Sequence, residues 1–425
     1  MIKFGSAGRG AAMVAAARVD PATARGGSDP QGDRVEVFAW ATDDDPDKAA
    51  EKAAVDSLEE AFTEACPGQE FVNPVIAGGG QSDPKQALHP RLRENDPPDS
   101  FQVHPGAELM DYIDAGQLAD LNDQFAQWGL SEVLPKGLLD AITVNGKIYT
   151  VPVGIHRLML WSNREVLATA GLANQPATLG EFIHDLDALK ASGVEHPLAL
   201  GADWTQLELL EGVLLAELGP ERFESLWTAK ADWSGSDITG ALDDYKKLLS
   251  YSNPDRDNLH WTDAAKRLSG GGAGYLFMGD WVVGELERDG LRDYSYQPFP
   301  GTGETFQWLG DSFVLPKNAP NAAGANSWLK TVGSVEGQKA FNTRKGSIPA
   351  RTDANPADYP PYQQAAIADF KQLRLVPSCA HGSACTQAVA AAVISALGSF
   401  SSTGDIADLQ AAIAAGVATY GDLRS

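Results

Sequence analysis

The chain has 425 residues, 43% of them hydrophobic, enough to bury a substantial core and to form two or more domains. With 57 acidic against 33 basic residues its formal net charge is -24, a field that repels nucleic acid and anionic lipid surfaces and argues against both as partners. No apolar run approaches the ~20 residues that span a bilayer; the longest candidate, residues 388–397, is short and Ala-rich.

Residues 1–34 carry Lys3 and Arg9, a small apolar run at 11–17, and then Gly26, Gly27, Ser28 and Asp29. This reads either as a weak export signal followed by a flexible tether or as an altered start without function. A lipid-anchored export protein would need a cysteine near position 25, where this chain has Arg25. Residues 35–40 alternate as a strand, and the acidic break at 42–46 leads into a helix with Val55, Leu58, Ala61, Phe62 and Ala65 at helical spacing. Pro67 and Gly68 stop that helix and residues 71–76 return as a strand, so the chain opens β-α-β. Cys66, at the helix end, reads as a buried free thiol. The loop from Gly78 to Gln81 lacks the Lys-Ser/Thr ending of a phosphate-binding loop.

Residues 100–104 form the next strand. Period two places Phe101 and Val103 on one face and Gln102 and His104 on the other, at the C-terminal strand end where open α/β sheets collect ligands. Residues 143–149 are a hairpin about Asn145-Gly146. Residues 151–163 run extended without a turn, as a strand passing between domains would. Helical spacing dominates at 179–190, 207–218, 238–249 and 262–268; a short buried strand follows at 273–278, and Asp280 reads as the cap of a helix beginning at Trp281. Further helices are predicted at 328–332, 336–341 and 362–373, with an Ala-rich helix from Thr386.

The stretch 306–316 interrupts this pattern. Trp308, Leu309, Phe313, Val314 and Leu315 belong to a core strand, yet Gly310 and Asp311 sit among them. A carboxylate in such surroundings is costly unless donors meet it, so Asp311 is either paired internally or held for a ligand. Gly310 lets another backbone or a ligand approach closely. Cys379 and Cys385 enclose five residues and would close a small loop in an oxidising compartment; with one His between them they match no zinc pattern. The strand-helix alternation, broken by a helical block and resumed around Asp311, predicts two α/β lobes with more than one crossing.

Seven stretches together resemble the extracellular sugar-binding proteins of bacterial ABC importers, and within them the glucose/mannose-binding group. They are FQVHPG at 101–106, VPVGIHR at 151–157 with LWSN at 160–163, ALGADW at 199–204, MGDW at 278–281, WLGDSFVLP at 308–316, KGSIPAR at 345–351 and CAH at 379–381. The resemblance implies a type II periplasmic-binding-protein fold whose lobes close on a sugar, with crossings near 151–156 and Asp311. It assigns 35–152 with 310–372 to one lobe and 153–309 with 373–425 to the other. It implies that Gln102, His104, Trp261, Trp281, Asp311, Lys345 and His381 face the ligand, with Trp40, Gln81 and Trp204 in a second tier; His156 and Trp161 read as crossover packing.

The chemistry suits a pyranose. Indoles offer a surface for its C–H face, and a carboxylate with an ammonium brackets its hydroxyls through charge-assisted bonds of roughly 1.5–3 kcal/mol each. The expected protein is an exported, periplasmic or cell-surface, monomeric receptor without cofactor or metal. It would pass a monosaccharide, glucose first and mannose or galactose next, to a membrane permease. The alternatives are the same fold holding a di- or oligosaccharide, or a secreted glycoside hydrolase, which needs a second carboxylate flanking the bond that the sequence does not supply.

Overall fold

The computed structural model describes residues 33–40, 49–74 and 84–421. Its strands are β1 (Arg34–Phe38), β2 (Glu70–Val72), β3 (Ser100–Val103), β4 (Thr143–Val144), β5 (Lys147–Ile148), β6 (Thr150–Asn163), β7 (Leu198–Ala199), β8 (Tyr275–Gly279), β9 (Tyr294–Gln297), β10 (Thr305–Val314), β11 (Ile348–Pro349) and β12 (Arg374–Pro377). The hairpin β4-β5 turns through Asn145 and Gly146, both with positive φ, as an Asn-Gly turn requires.

Two long antiparallel strands, β6 and β10, carry the architecture. Val314 lies opposite Thr150 and Trp308 opposite Arg157. The second half of β10 pairs with β3, and β1 and β2 continue that side in parallel. The first half of β10 pairs with β12, while the second half of β6 pairs with β8 and β9, and β8 with β7. Each long strand therefore begins in one α/β lobe and ends in the other. Every residue of both is buried, which is why the sequence shows near-continuous apolar runs there in place of alternation.

The pairing slips between Asp311, opposite Gly154, and Ser312, opposite Pro152, so β6 carries an extra residue at this point. A bulge of this kind re-aims neighbouring side chains. Gly310 is required beside it, because a Cβ there would fall 2.9 Å from the Gly154 carbonyl oxygen and 3.0 Å from Pro105 Cγ.

Helices cover both faces. Helix Ala49–Ala65 buries Leu58 and Phe62, whose ring meets Trp328 edge-on at 5.5 Å. Helix Val335–Lys345 ends at the left-handed Gly346, placing Lys345 at its last turn. Helix Trp204–Ser225 is longer at both ends than the apolar spacing at 207–218 indicates, and it bends at Gly219-Pro220, where glycine takes φ 75°. Its apolar side joins Phe182, Trp227 and Leu242, together with the C-terminal helices Gln387–Thr403 and Ile406–Tyr420, in a second core. The strand expected at 71–76 is β2, three residues long, and Gln81 lies outside the described residues. Among the described residues no helix is long and apolar enough to cross a membrane.

Candidate functional site

Asp311 sits at the bulge, 2% exposed, and the protein meets both its oxygens. Gln102 Nε2 donates to Oδ1 at 2.9 Å, and His156 Nε2 lies 3.1 Å from Oδ2. The opposite nitrogen of His156, Nδ1, lies 2.5 Å from Asp280 Oδ1. Asp280 Oδ2 accepts in turn from the Tyr362 hydroxyl at 2.9 Å and the Arg157 backbone N–H at 3.2 Å. A ring between two carboxylates has to donate from both nitrogens, so His156 is an imidazolium. Burial alone would discharge it, but Asp280 and then Asp311 outweigh that and raise its pKa. Burial likewise pushes the Asp311 carboxyl up, while the Lys345 charge and His156 hold it well below the usual carboxylate range. Lys345 Nζ is 2.6 Å from Glu51 Oε1; burial lowers its pKa, and Glu51 and Asp311 raise it by more.

Of the two readings open for Asp311, the structure shows the internal pairing. Two expectations change here. His156 is the bridge between two carboxylates and not mere packing, whereas Trp161, fully buried with Nε1 on the Met278 carbonyl, is packing. Asp280 does not cap the following helix, whose N-cap is Trp281 with no side-chain bond. Lys345 is 7% exposed and paired with Glu51.

The aromatic candidates gather beside this polar group. Trp40 lies 4.4 Å from His104 between ring centroids, His104 lies 5.6 Å from His381, and His381 touches both Trp204 at 5.0 Å and Trp281 at 5.3 Å. Trp204 continues to Trp261 at 6.5 Å, and Trp281 stands edge-on to His156 at 5.1 Å. Gln102 joins the two sets, because its Oε1 accepts from the Trp40 backbone N–H at 3.0 Å while its amide donates to Asp311. All six aromatic residues are partly exposed. Of the sequence candidates, Gln81 alone lies outside the described residues; the rest meet in one connected cluster, Lys345 through its charge on Asp311.

The loop that presents His381 is fastened on three sides. Cys379 and Cys385 are joined as a disulfide with Cα atoms 4.8 Å apart. Glu211, on helix Trp204–Ser225, accepts from the backbone N–H groups of Cys379 and Ala380 and from Ser378 Oγ at 2.7 Å. On the far side, the carbonyls of Gly382 and Ser383 accept from the N–H groups of Glu108 and Ala107 at 2.8 and 3.1 Å. One turn before Glu211, the fully buried Glu208 places Oε1 2.9 Å from His381 Nε2. Burial raises the Glu211 carboxyl to about 7, and burial with the Glu211 charge raises Glu208 well above the usual range. Sequence reasoning missed both acids, although their intrusion among Leu207, Leu209, Leu210 and Val213 was a readable signal of the same kind as Asp311.

Among the described residues no group of His, Cys, Asp and Glu is arranged to hold a metal. All four oxygens of Asp280 and Asp311 accept from protein donors, an arrangement unlike two carboxyls flanking a scissile bond.

Comparison with known proteins places this geometry. An uncharacterized ABC transporter extracellular-binding protein of Pyrococcus horikoshii is 31% identical over 83% of this chain and 80% of its own. The xylose/arabinose-binding protein XacG of Haloferax volcanii is 29% identical over 82% and 77%. The solved structure of the bacterial solute receptor AcbH, described with an exclusive preference for β-D-galactopyranose, superposes with a TM-score of 0.79 at 20% identity, covering 91% of this chain and 97% of that one. The family model for the bacterial extracellular solute-binding proteins matches residues 41–339, and the chain belongs to that family.

Proposed function

We propose that the protein is the carbohydrate receptor of an ABC importer and captures a monosaccharide, glucose first and mannose or galactose next, for a membrane permease. The observation that carries this is the unbroken series of partly exposed aromatic rings from Trp40 through His104 and His381 to Trp204, Trp281 and Trp261, with neighbouring centroids 4.4–6.5 Å apart, set against the Asp311 cluster. Indole faces suit the C–H surface of a pyranose, and polar edges suit its hydroxyls. The closeness of the rings favours a single sugar over a chain. XacG and AcbH carry names for different sugars, so the choice of hexose rests on the motif resemblance and not on them.

Within this reading Gln102, His104, Trp261, Trp281, Asp311, Lys345 and His381 form the binding set, with Trp40 and Trp204 beside them. Asp311 acts mainly by organising Gln102 and His156. The lobes are residues 35–152 with 310–372 and residues 153–309 with 373–425; the receptor works as a monomer, and closure on the sugar gives the form a permease engages. Titration calorimetry with D-glucose, D-galactose, D-mannose and maltose is the test. We expect saturable heat with at least one of the three monosaccharides and weaker or no binding of maltose. Heat with maltose alone would replace the monosaccharide by an oligosaccharide, and silence with all four would remove the proposal.

A further inference from the structure

We propose that Gly279 is a positioning residue for sugar capture: with no side chain there, the six-membered ring of Trp281 lies back against the end of β8, and any Cβ would drive the indole out of the binding set. This rests on the reading that Trp281 faces the sugar. A Cβ on Gly279 would fall 1.9 Å from Trp281 Cζ3, 2.1 Å from Cη2 and 2.4 Å from Cε3, far inside the ~3.5–4 Å at which unbonded carbon atoms rest. Something would have to move. The residue has no need to be glycine for its own backbone, because its φ is not positive and alanine could adopt the same conformation. What calls for glycine is the ring.

The backbone is poorly placed to yield. Gly279 is buried and pairs with Leu158 of β6, and Asp280, the residue between glycine and indole, donates its own N–H to the Arg157 carbonyl at 3.1 Å. The Asp280 carboxylate is held by His156, Tyr362 and the Arg157 N–H, and Gly346 backs its carbonyl so closely that a Cβ on Gly346 would lie 3.1 Å from that oxygen. The indole is free to give way. It is the far end of a partly exposed side chain that turns about two dihedrals, and among the described residues its Nε1 makes no hydrogen bond that would anchor it. From its seat on Gly279 the ring stands edge-on to His156 at 5.1 Å and meets His381 at 5.3 Å and Trp204 at 5.9 Å. A ring lifted from the strand changes all three separations, and with them the surface offered to the C–H face of a pyranose. Adding one methyl group at position 279 therefore acts on the sugar through Trp281 and leaves the fold in place.

The test uses the full chain. Calorimetry with D-glucose, D-galactose and D-mannose is expected to show Gly279→Ala weakening whichever sugar the wild type binds by at least about fivefold, and the same substitution in a Trp281→Ala background changing affinity by less than about twofold. Fluorine NMR of unliganded protein labelled with 5-fluorotryptophan, with Trp281 assigned by its loss in Trp281→Ala, is expected to show that signal displaced in Gly279→Ala. A Trp281 signal that stays in place, wild-type affinity in Gly279→Ala, or an equal loss in the Trp281→Ala background would overturn the proposal. So would a Gly279→Ala chain that fails to fold, because the strand and not the ring would then have yielded. Wild type that binds none of the three sugars would instead overturn the sugar reading, and with it the affinity half of this one, while the NMR result still decides whether Gly279 seats the ring.

Discussion

Asp311 has two acceptor oxygens, and Gln102 and His156 take one each. Its removal strands an imidazolium and the nearby Lys345 ammonium in a buried setting with one anion fewer. Breaking a buried pair from one side costs about 3–5 kcal/mol. Asp311→Ala is therefore expected to lower the stability of the unliganded protein by that order in urea denaturation, besides weakening sugar binding. An unchanged unfolding midpoint would mean that the carboxylate is kept for ligand alone. The sequence marked Asp311 because a lone carboxylate in an apolar strand is costly; it did not mark His156. That partner is 155 positions away on a strand buried on both faces, where neither spacing nor alternation distinguishes a bridging histidine from a packed one. Glu208 and Glu211 were open to the same argument as Asp311, being acids within an apolar helical run.

The loop from Ser378 to Cys385 shows how an element acquires rigidity without regular structure. Its backbone is held by the Glu211 side chain of helix Trp204–Ser225 and by N–H groups from the segment after β3, and the disulfide closes it across a sequence separation of six. Gly106 takes φ 119° there, and a Cβ would fall 2.3 Å from the Ser383 carbonyl oxygen, so no side chain fits between them. With Cys66 the one other cysteine in the chain, denatured, unreduced protein should titrate one thiol and reduced protein three. Closing a loop this short is worth roughly 2 kcal/mol through the unfolded chain, so reduction should lower stability by about that much. Three thiols before reduction would refute the pairing. Helix Ala49–Ala65 was legible because period and punctuation agreed, the hairpin because of its Asn-Gly turn, and β6 because its long run has no turn inside it. Where a helix starts ahead of its apolar spacing, as at Trp204, that spacing stops short of the true start. The disulfide of the loop was legible from its two cysteines, but its hydrogen-bonded fastening was not, since that depends on Glu211 and on the N–H groups of Ala107 and Glu108, far away in the sequence.

At the scale of the whole molecule the buried ionisable groups set how stability depends on pH, and most act in one direction. His156 has a folded pKa raised above its ordinary value of 6.5, so its contribution is complete below that value and is lost as pH rises through the folded one. Glu208 and Glu211 are raised as well, because burial disfavours their charged forms; folding is helped while they are protonated and hindered once they must ionise inside. Glu211 alone, carried from 4.5 to about 7, removes roughly 3 kcal/mol as pH climbs through that window. Asp311 opposes them only in acid: its lowered pKa gives stability that is present above 3.8 and is lost below it. A chain of net charge -24 also repels itself less as carboxylates take up protons. The unliganded protein should therefore be most stable near about pH 4 to 4.5, with its urea midpoint falling from there toward pH 8.5, and Glu211→Gln should flatten the fall between about pH 4.5 and 7. A midpoint that climbs from pH 5 to 8 would mean that these carboxyls and His156 ionise in the folded protein as freely as in the unfolded chain, and the buried polar core would lose its role as the source of the pH dependence.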